Sequence, residues 1–522
     1  MSKSAPPKLV IALLIAAGSI LAAPAHSRCL PGVSQAEGAG SSSAAAVTAA
    51  RDGGRLSASP ASIDEPADVT LPDTPAGRQF AAFLTALESS DHEAYIKQHF
   101  SAGFLNAFPL ERHLEFFRDM RALNGGFTVG SIEESSDYRI VVLARAKKRD
   151  VWRRIDMSVE PEPPYKVASF GIEAARSPEE EQIPEIETED EALKYIQATL
   201  GEESRADRFS GAVLVAKDGE PLFRRAYGEA SKEFSVPNRP DTKFNLGSIN
   251  KIFTSLAIAQ LLESGEVGLD DAIGKYLGDL PDGWGEKITV RQLLTMRSGL
   301  GHYWNEAWEN NFAKIRTVDA LMDVVVQGSL SFEPGTSKQY SNSGYVVLGA
   351  IIESVTGKSY YDYVRENIFE PAGMPDTDSY EIDQIVPNLA RGYTQNRSEH
   401  PYKDKRLQEN FFLHSVKGSP AGGGFSTVDD LNRFVEALKG NRLAGERYTN
   451  MVLGLFENAD SPETRPKGLG IAGGASVGIN AIVEADFPSG YTVIVLSNYD
   501  PPAAERLGIR FMKVLRGLGQ AE

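Results

Sequence analysis

The chain has 522 residues, 42% of them hydrophobic, and a formal net charge of −17 from 54 Lys and Arg against 71 Asp and Glu. That length allows about three folding units with an ordinary globular balance, and the charge disfavours nucleic acid or a basic membrane-binding surface. One cysteine, Cys29, excludes an intrachain disulfide, a Cys-built zinc site and dithiol redox chemistry, and no two of the seven histidines have metal-ligand spacing.

Lys3 and Lys8 precede an apolar run from Leu9 to Ala23, and Ala23-Pro24-Ala25 supplies the small residues of a cleavage point. Residues 1–25 therefore read as a secretory signal peptide that leaves the mature chain exported, periplasmic or secreted, with no membrane span. A near-absence of thiols fits an oxidising compartment. Residues 26–70, rich in Ala, Ser, Gly and Pro, read as a disordered tether. Residues 71–175 read as a smaller α+β domain. Thr74-Pro75 is a helix start, Phe80, Phe83, Leu84 and Leu87 share a helical face, and a second helix follows from His113 to Leu123. Strand-like runs then cover Phe127 to Ile132, Tyr138 to Ala146, Val151 to Val159 and Tyr165 to Ile172. Helices followed by an antiparallel meander resemble the NTF2-like fold. Lys147-Lys148-Arg149 and Arg153-Arg154 fall at a hairpin and read as a solvated turn rather than an anion site. Residues 176–191, dense in Glu and containing two prolines, read as an extended acidic linker.

The large body spans residues 192–522. Phe209 to Ala216 and Pro221 to Tyr227 flank Asp218-Gly219, a hairpin signal. Ser248-Ile249-Asn250-Lys251 then opens an apolar helix that runs through Leu262. Ser248 and Lys251 stand one turn apart on one face, where a buried lysine would lose its charge and sit as an amine beside a hydroxyl. Tyr340-Ser341-Asn342 follows about ninety residues later, after Phe332-Glu333-Pro334-Gly335. A phenol near a cationic Lys251 is expected to have a lowered pKa and to serve as general base. A second Y-x-N, Tyr448-Thr449-Asn450, lacks that context and reads as accidental.

These motifs, with GSINKIFTSLAIAQLLESGEVGLDD, ITVRQLLTMRSGL, IFEPAGMPDTD and AGGGFSTVDDL, make Phe209 to Leu515 resemble the serine β-lactamase and penicillin-binding-protein superfamily, on its class C β-lactamase and esterase side. The resemblance implies an α/β fold in which a helical lobe packs on an antiparallel sheet. It implies Ser248 as nucleophile, Lys251 and Tyr340 as proton carriers, Asn342 as their support, and the N–H groups of Ser248 and Gly474 as the oxyanion hole. Gly473 and Ala475 become candidate substrate contacts. His302 is a candidate for the cleft wall, against the competing reading of a loop histidine with ordinary hydrogen bonds. No cofactor or metal is implied; the expected partner is a small ester, amide or peptide substrate, and the oligomeric state is unknown.

One position departs from the family pattern. The third motif should read Lys or His, a small residue, then Gly, but here it is Ile471-Ala472-Gly473. Isoleucine cannot anchor a substrate carboxylate, so esters or amides are expected over β-lactams. A catalytically silent receptor for peptidoglycan-like or peptide ligands is the alternative. Gly474-Ala475-Ser476-Val477-Gly478 matches the α/β-hydrolase elbow G-x-S-x-G, yet no histidine follows His414 and the next residues alternate like a strand, so it is rejected.

Overall fold

A computed structural model of the chain describes residues 69–89, 91–107, 110–148, 151–175, 183–395 and 407–518. The expected signal peptide and nearly all of the expected tether lie outside these residues. Among the described residues, no helix is long and apolar enough to cross a membrane. The chain divides into two compact units, one ending at Gln182 and one beginning at Ile183.

In the first unit, helix α1 (Pro75–Glu88) starts where Thr74 Oγ1 accepts the Gly77 N–H at 3.1 Å. Its Phe80, Phe83 and Leu87 are buried at a spacing that keeps them on one face. Helices α2 (His92–His99) and α3 (Ala102–Ala107), which sequence periodicity did not reveal, precede α4 (Leu110–Asn124). Strands β1 (Phe127–Ser135), β2 (Arg139–Ala146), β3 (Trp152–Val159) and β4 (Val167–Ala175) pair in sequence order as an antiparallel meander. Ile140, Val142 and Ala144 of β2 alternate inward against the phenylalanines of α1. The α+β expectation therefore describes this unit.

The acidic linker needs correction. Residues 183–188 lead into α5 (Glu189–Arg205), and Thr188 with Glu191 forms a reciprocal capping box. Glu189, Asp190 and Glu191 are thus the first helical turn, where carboxylates complement the helix dipole. Ile183 and Ile186 pack against the core beside them. Charge density alone could not distinguish this from a solvated spacer.

The second unit is built on a five-stranded antiparallel sheet. Its strands are β5 (Gly211–Lys217), β6 (Glu220–Tyr227), β7 (Gly468–Ser476), β8 (Ile479–Asp486) and β9 (Tyr491–Ser497), in the order β7-β8-β9-β5-β6. The N-terminal hairpin of the body thereby meets the C-terminal one, with Val213 opposite Val495. Both faces are covered, so β5 and β9 read as unbroken apolar runs. Val213, Val215, Val493 and Val495 face α5 and the last helix, α9 (Glu505–Leu518); Leu214, Ile494 and Leu496 face the helical lobe. That lobe includes α6 (Asn250–Glu263), α7 (Asn342–Thr356) and α8 (Val428–Lys439). Helix α6 is buried on nearly every side, as its sequence implied.

Phe511 of α9 is wholly buried against the sheet. Phe511→Ala is expected to cost about 3–5 kcal/mol, read by urea denaturation of the full chain.

Candidate active site

Ser248 lies in a 3₁₀ turn, Gly247–Ile249, immediately before α6 rather than within its first α-helical turn. Gly247 adopts φ +50°, and its N–H is held by Asn245 Oδ1 at 2.9 Å. The half-buried serine is therefore presented at the junction of sheet and lobe, while Lys251, on the first turn of α6, is 6% exposed.

Four successive backbone carbonyls fix the segment beside Lys251, and the last of them bonds the lysine itself. Gly418 O accepts from Tyr361 Oη at 2.9 Å, Ser419 O from Asn250 Nδ2 at 3.5 Å, and Pro420 O from Thr254 Oγ1 at 2.7 Å. Ala421 O accepts from Lys251 Nζ. Three of those donors sit on α6, and the glycines that follow let the chain come this close: a β-carbon at Gly422 would lie 3.0 Å from Gly247 O, and one at Gly424 would lie 2.8 Å from Asn250. Lys251 Nζ also lies 2.7 Å from Asn342 Oδ1 and 3.2 Å from Ser248 Oγ.

Burial pulls the Lys251 pKa down to about 7. A neutral amine has two N–H donors and one lone pair. Asn342 Oδ1 and Ala421 O take the two donors, which leaves the lone pair facing the Ser248 hydroxyl. Tyr340 Oη donates to Ser248 Oγ at 2.7 Å. Its ring, not its oxygen, faces the lysine, with Nζ 4.8 Å from the ring centroid.

The sequence reading of Tyr340 is thereby corrected. Burial of the ring pushes its pKa up to about 12, opposed only by the hydrogen bond to Ser248. Lys251 faces the ring and not the phenol oxygen, and burial lets it shed its proton at about 7, so it does not draw the Tyr340 pKa down. Lys251 has the lone pair of a base near neutral pH, and Tyr340 is a proton donor.

Asn342 is the first residue of α7, whose N-terminus is capped by Ser341 Oγ accepting from Gly344 N at 2.8 Å. The same Ser341 hydroxyl donates to Gly301 O at 3.1 Å, and Ser343 N–H donates to Gly301 O at 3.1 Å. These bonds bring the following residue, His302, beside Asn342, with Nδ1 3.1 Å from Asn342 Nδ2. Because the amide oxygen faces Lys251, the amide nitrogen must donate to His302, whose Nδ1 is then unprotonated. Desolvation, then Lys251, holds the His302 pKa below its usual value. Its ring stacks on Trp304 at 4.7 Å with planes 4° apart, and Trp304 is 51% exposed. His302 is a support for Asn342, combining the two sequence readings of it.

Strand β7 is the sheet edge beside this turn. A β-carbon at Gly474 would lie 1.8 Å from Leu246 O and 3.2 Å from Ser248 N, so only glycine fits there. The backbone of Gly474, flanked by Gly473 and Ala475, thus borders the Ser248 turn as required of an oxyanion-hole partner. The register of β7 against β8 slips between Leu469 and Ala472, across Gly470 and Ile471. The Ile471 side chain, like His400, lies outside what is described.

The rejected motifs stay rejected. Ser476 ends β7 and is followed by a two-residue turn into β8, not a helix. Asn450 of the second Y-x-N is buried and donates to Pro462 O at 2.9 Å. Sequence reasoning missed Ala421, which contributes only a carbonyl; its one visible signal is the glycine run after it. Among the described residues, no group of three His, Cys, Asp or Glu is placed to hold a metal.

The family model described as Beta-lactamase matches residues 192–514. Penicillin-binding protein 4* of Bacillus subtilis is 34% identical over 47% of this chain, and teichoic acid D-alanine hydrolase of Staphylococcus aureus is 24% identical over 52%. The chain spans 55% and 62% of those relatives' own lengths. A penicillin-binding protein structure from Bacillus halodurans superposes with TM-score 0.52 at 25% identity, over 62% of this chain and 98% of that one. D-amino acid amidase of Ochrobactrum anthropi SV3 has the same fold, with TM-score 0.52 at 23% identity over 63% of this chain and 99% of that one.

Gly474→Ala is expected to push β7 off the Ser248 turn and slow serine labelling by a fluorophosphonate by about 10²-fold or more. His302→Ala should slow it by freeing the Asn342 amide, and His302→Asn, which restores an acceptor near Nδ1, should recover much of the rate.

Proposed function

As the chain belongs to the Beta-lactamase family, we propose that it is a serine hydrolase that cleaves small esters or amides through a Ser248 acyl-enzyme. The observation that carries this reading is the convergence of Lys251 Nζ and Tyr340 Oη on Ser248 Oγ, at 3.2 and 2.7 Å. We include in the proposal that it acts outside the cytoplasm, on the strength of residues 1–25.

Ser248 Oγ attacks the substrate carbonyl as its proton moves to the Lys251 lone pair. The N–H groups of Ser248 and Gly474 receive the developing oxyanion. The carbonyl re-forms as the bond to the leaving group breaks; the departing amine or alcohol takes the Tyr340 hydroxyl proton, and Lys251 returns the proton it took from Ser248 to Tyr340, so that both groups are restored. Water then attacks the acyl-serine, giving its proton to Lys251 as Oγ is re-protonated, and the acid is released. Asn342 holds Lys251 with its lone pair aimed at Oγ throughout.

An ester or amide without a carboxylate next to the reacting bond suits this site best, because Ile471 supplies no cation at the third motif. Among the relatives, the D-alanine hydrolase named above supports such a substrate. D-aminoacyl esters and amides are therefore the first panel to try.

Fluorophosphonate labelling is expected for the wild type and absent for Ser248→Ala; equal labelling of both would exclude Ser248 as nucleophile. No labelling of either, with no turnover on the panel, would favour the receptor reading. Tyr340→Phe should lower kcat by about 10²–10⁴. The base works only when unprotonated, so kcat/KM should fall as pH drops through about 7, and no descending limb should appear near neutrality because Tyr340 keeps its proton to about 12.

A further inference from the structure

The segment that carries Tyr340, residues 337–341, belongs to no helix or strand. Met296 lies across from it and bonds it on both sides of the phenol. Gln339 N–H donates to Met296 O at 2.9 Å, and Ser341 N–H donates to Met296 Sδ at 3.3 Å. Ser341 is wholly buried, so its N–H needs a partner, and among the described residues the thioether is that partner.

Met296 is an unexpected residue to find there. The short helix Val290–Leu294 ends past Thr295 in a Schellman turn: Met296 N–H donates to Leu293 O at 3.2 Å, and Arg297 N–H to Gln292 O at 2.7 Å. Such a turn puts the residue after the cap in the left-handed region, and Met296 has φ +60°. Glycine is the ordinary occupant, because a β-carbon is disfavoured there. A glycine would keep the carbonyl that receives Gln339. It would lose what the side chain supplies, partial packing against the lobe core and the sulfur that receives Ser341. A strained backbone retained beside a site points to a use for that side chain.

We propose that Met296 is a positioning residue for Tyr340, fixing the main chain on either side of the phenol and thereby the reach of Tyr340 Oη. That oxygen lies 2.7 Å from Ser248 Oγ. On the Ser248 acyl-enzyme reading, on which this rests, Tyr340 gives its proton to the departing group and Lys251 restores it. An alkoxide or an amide nitrogen needs that proton to depart, whereas p-nitrophenolate, a weak base, leaves without it. Met296 therefore bears on which leaving groups the site can expel more than on the attack by Ser248.

The kcat/KM values of the full chain for p-nitrophenyl, phenyl and methyl esters of one acyl group test this. Met296→Leu keeps the apolar packing and Met296→Gly relieves the backbone, but both remove the acceptor. Each should lower kcat/KM for the methyl ester about tenfold more than for the p-nitrophenyl ester, as loss of one buried hydrogen bond implies. Met296→Gln places an oxygen acceptor near Sδ and should restore most of the methyl-ester rate. Equal losses across the three esters, no loss, or a Met296→Gln variant no better than Met296→Leu would overturn the proposal, with fluorophosphonate labelling of Ser248 still supporting the reading beneath it. A wild type that neither labels nor turns over any of these esters would overturn that reading, and the role of Met296 with it.

Discussion

Everything at the junction of sheet and helical lobe depends on keeping one lysine amine out of water. Lys251 has a side chain that would ordinarily titrate near 10.5, and its burial brings this to about 7. Burial destabilises the ammonium by on the order of 5 kcal/mol relative to water, so the amine sheds its proton at a much lower pH than an exposed lysine does. Among the described residues, no carboxylate pairs with Lys251 to offset the charge. The partners are neutral dipoles, Asn342 Oδ1 and the Ala421 carbonyl. An acidic partner would have raised the pKa and removed the lone pair on which the chemistry rests.

Much of the surrounding architecture follows from that choice. The carbonyls from Ser419 to Ala421 must run along α6, which requires glycines where that loop presses on the Ser248 turn. Asn342 must present its oxygen, so its nitrogen needs an acceptor, and the Gly301–His302 segment is tied to the start of α7 to provide one. Strand β7 must pass close to Leu246 and Ser248, so Gly474 has no side chain. The backbone contribution of β7 is independent of the side chain at Ile471. In the proposed reaction, the side chain at Ile471 would bear on which substrates fit, while the backbone of Gly474 would still serve acyl transfer.

The sequence made the participants visible more readily than their relations. Ser248, Lys251, Tyr340 and Asn342 were legible from spacing and context, and the first hairpin of the large body from apolar runs around Asp218-Gly219. The protonation assignment was not legible, because it depends on burial from every side and on which face of Tyr340 meets Lys251. Ala421 was invisible because a backbone carbonyl has no residue-type signal. The role of His302 turned on the direction of one amide, which spacing cannot encode. In the first unit, the short helices α2 and α3 carry too few turns for periodicity to emerge, while the long α1 and the four strands declared themselves. The acidic run before α5 was misread because a capping box and a solvated linker share a composition.

Lys251, held by dipoles and aimed at Ser248, becomes an unprotonated amine as pH rises through about 7. The direct test is the titration of Lys251 Cε by NMR in ¹³C-lysine-labelled protein, with the resonance assigned by its absence in Lys251→Met. A midpoint near 7 is expected from the burial of the side chain. A midpoint near the ordinary value of 10.5 would contradict the account, because the lysine would then be a cation beside Ser248 and the base would have to be sought elsewhere.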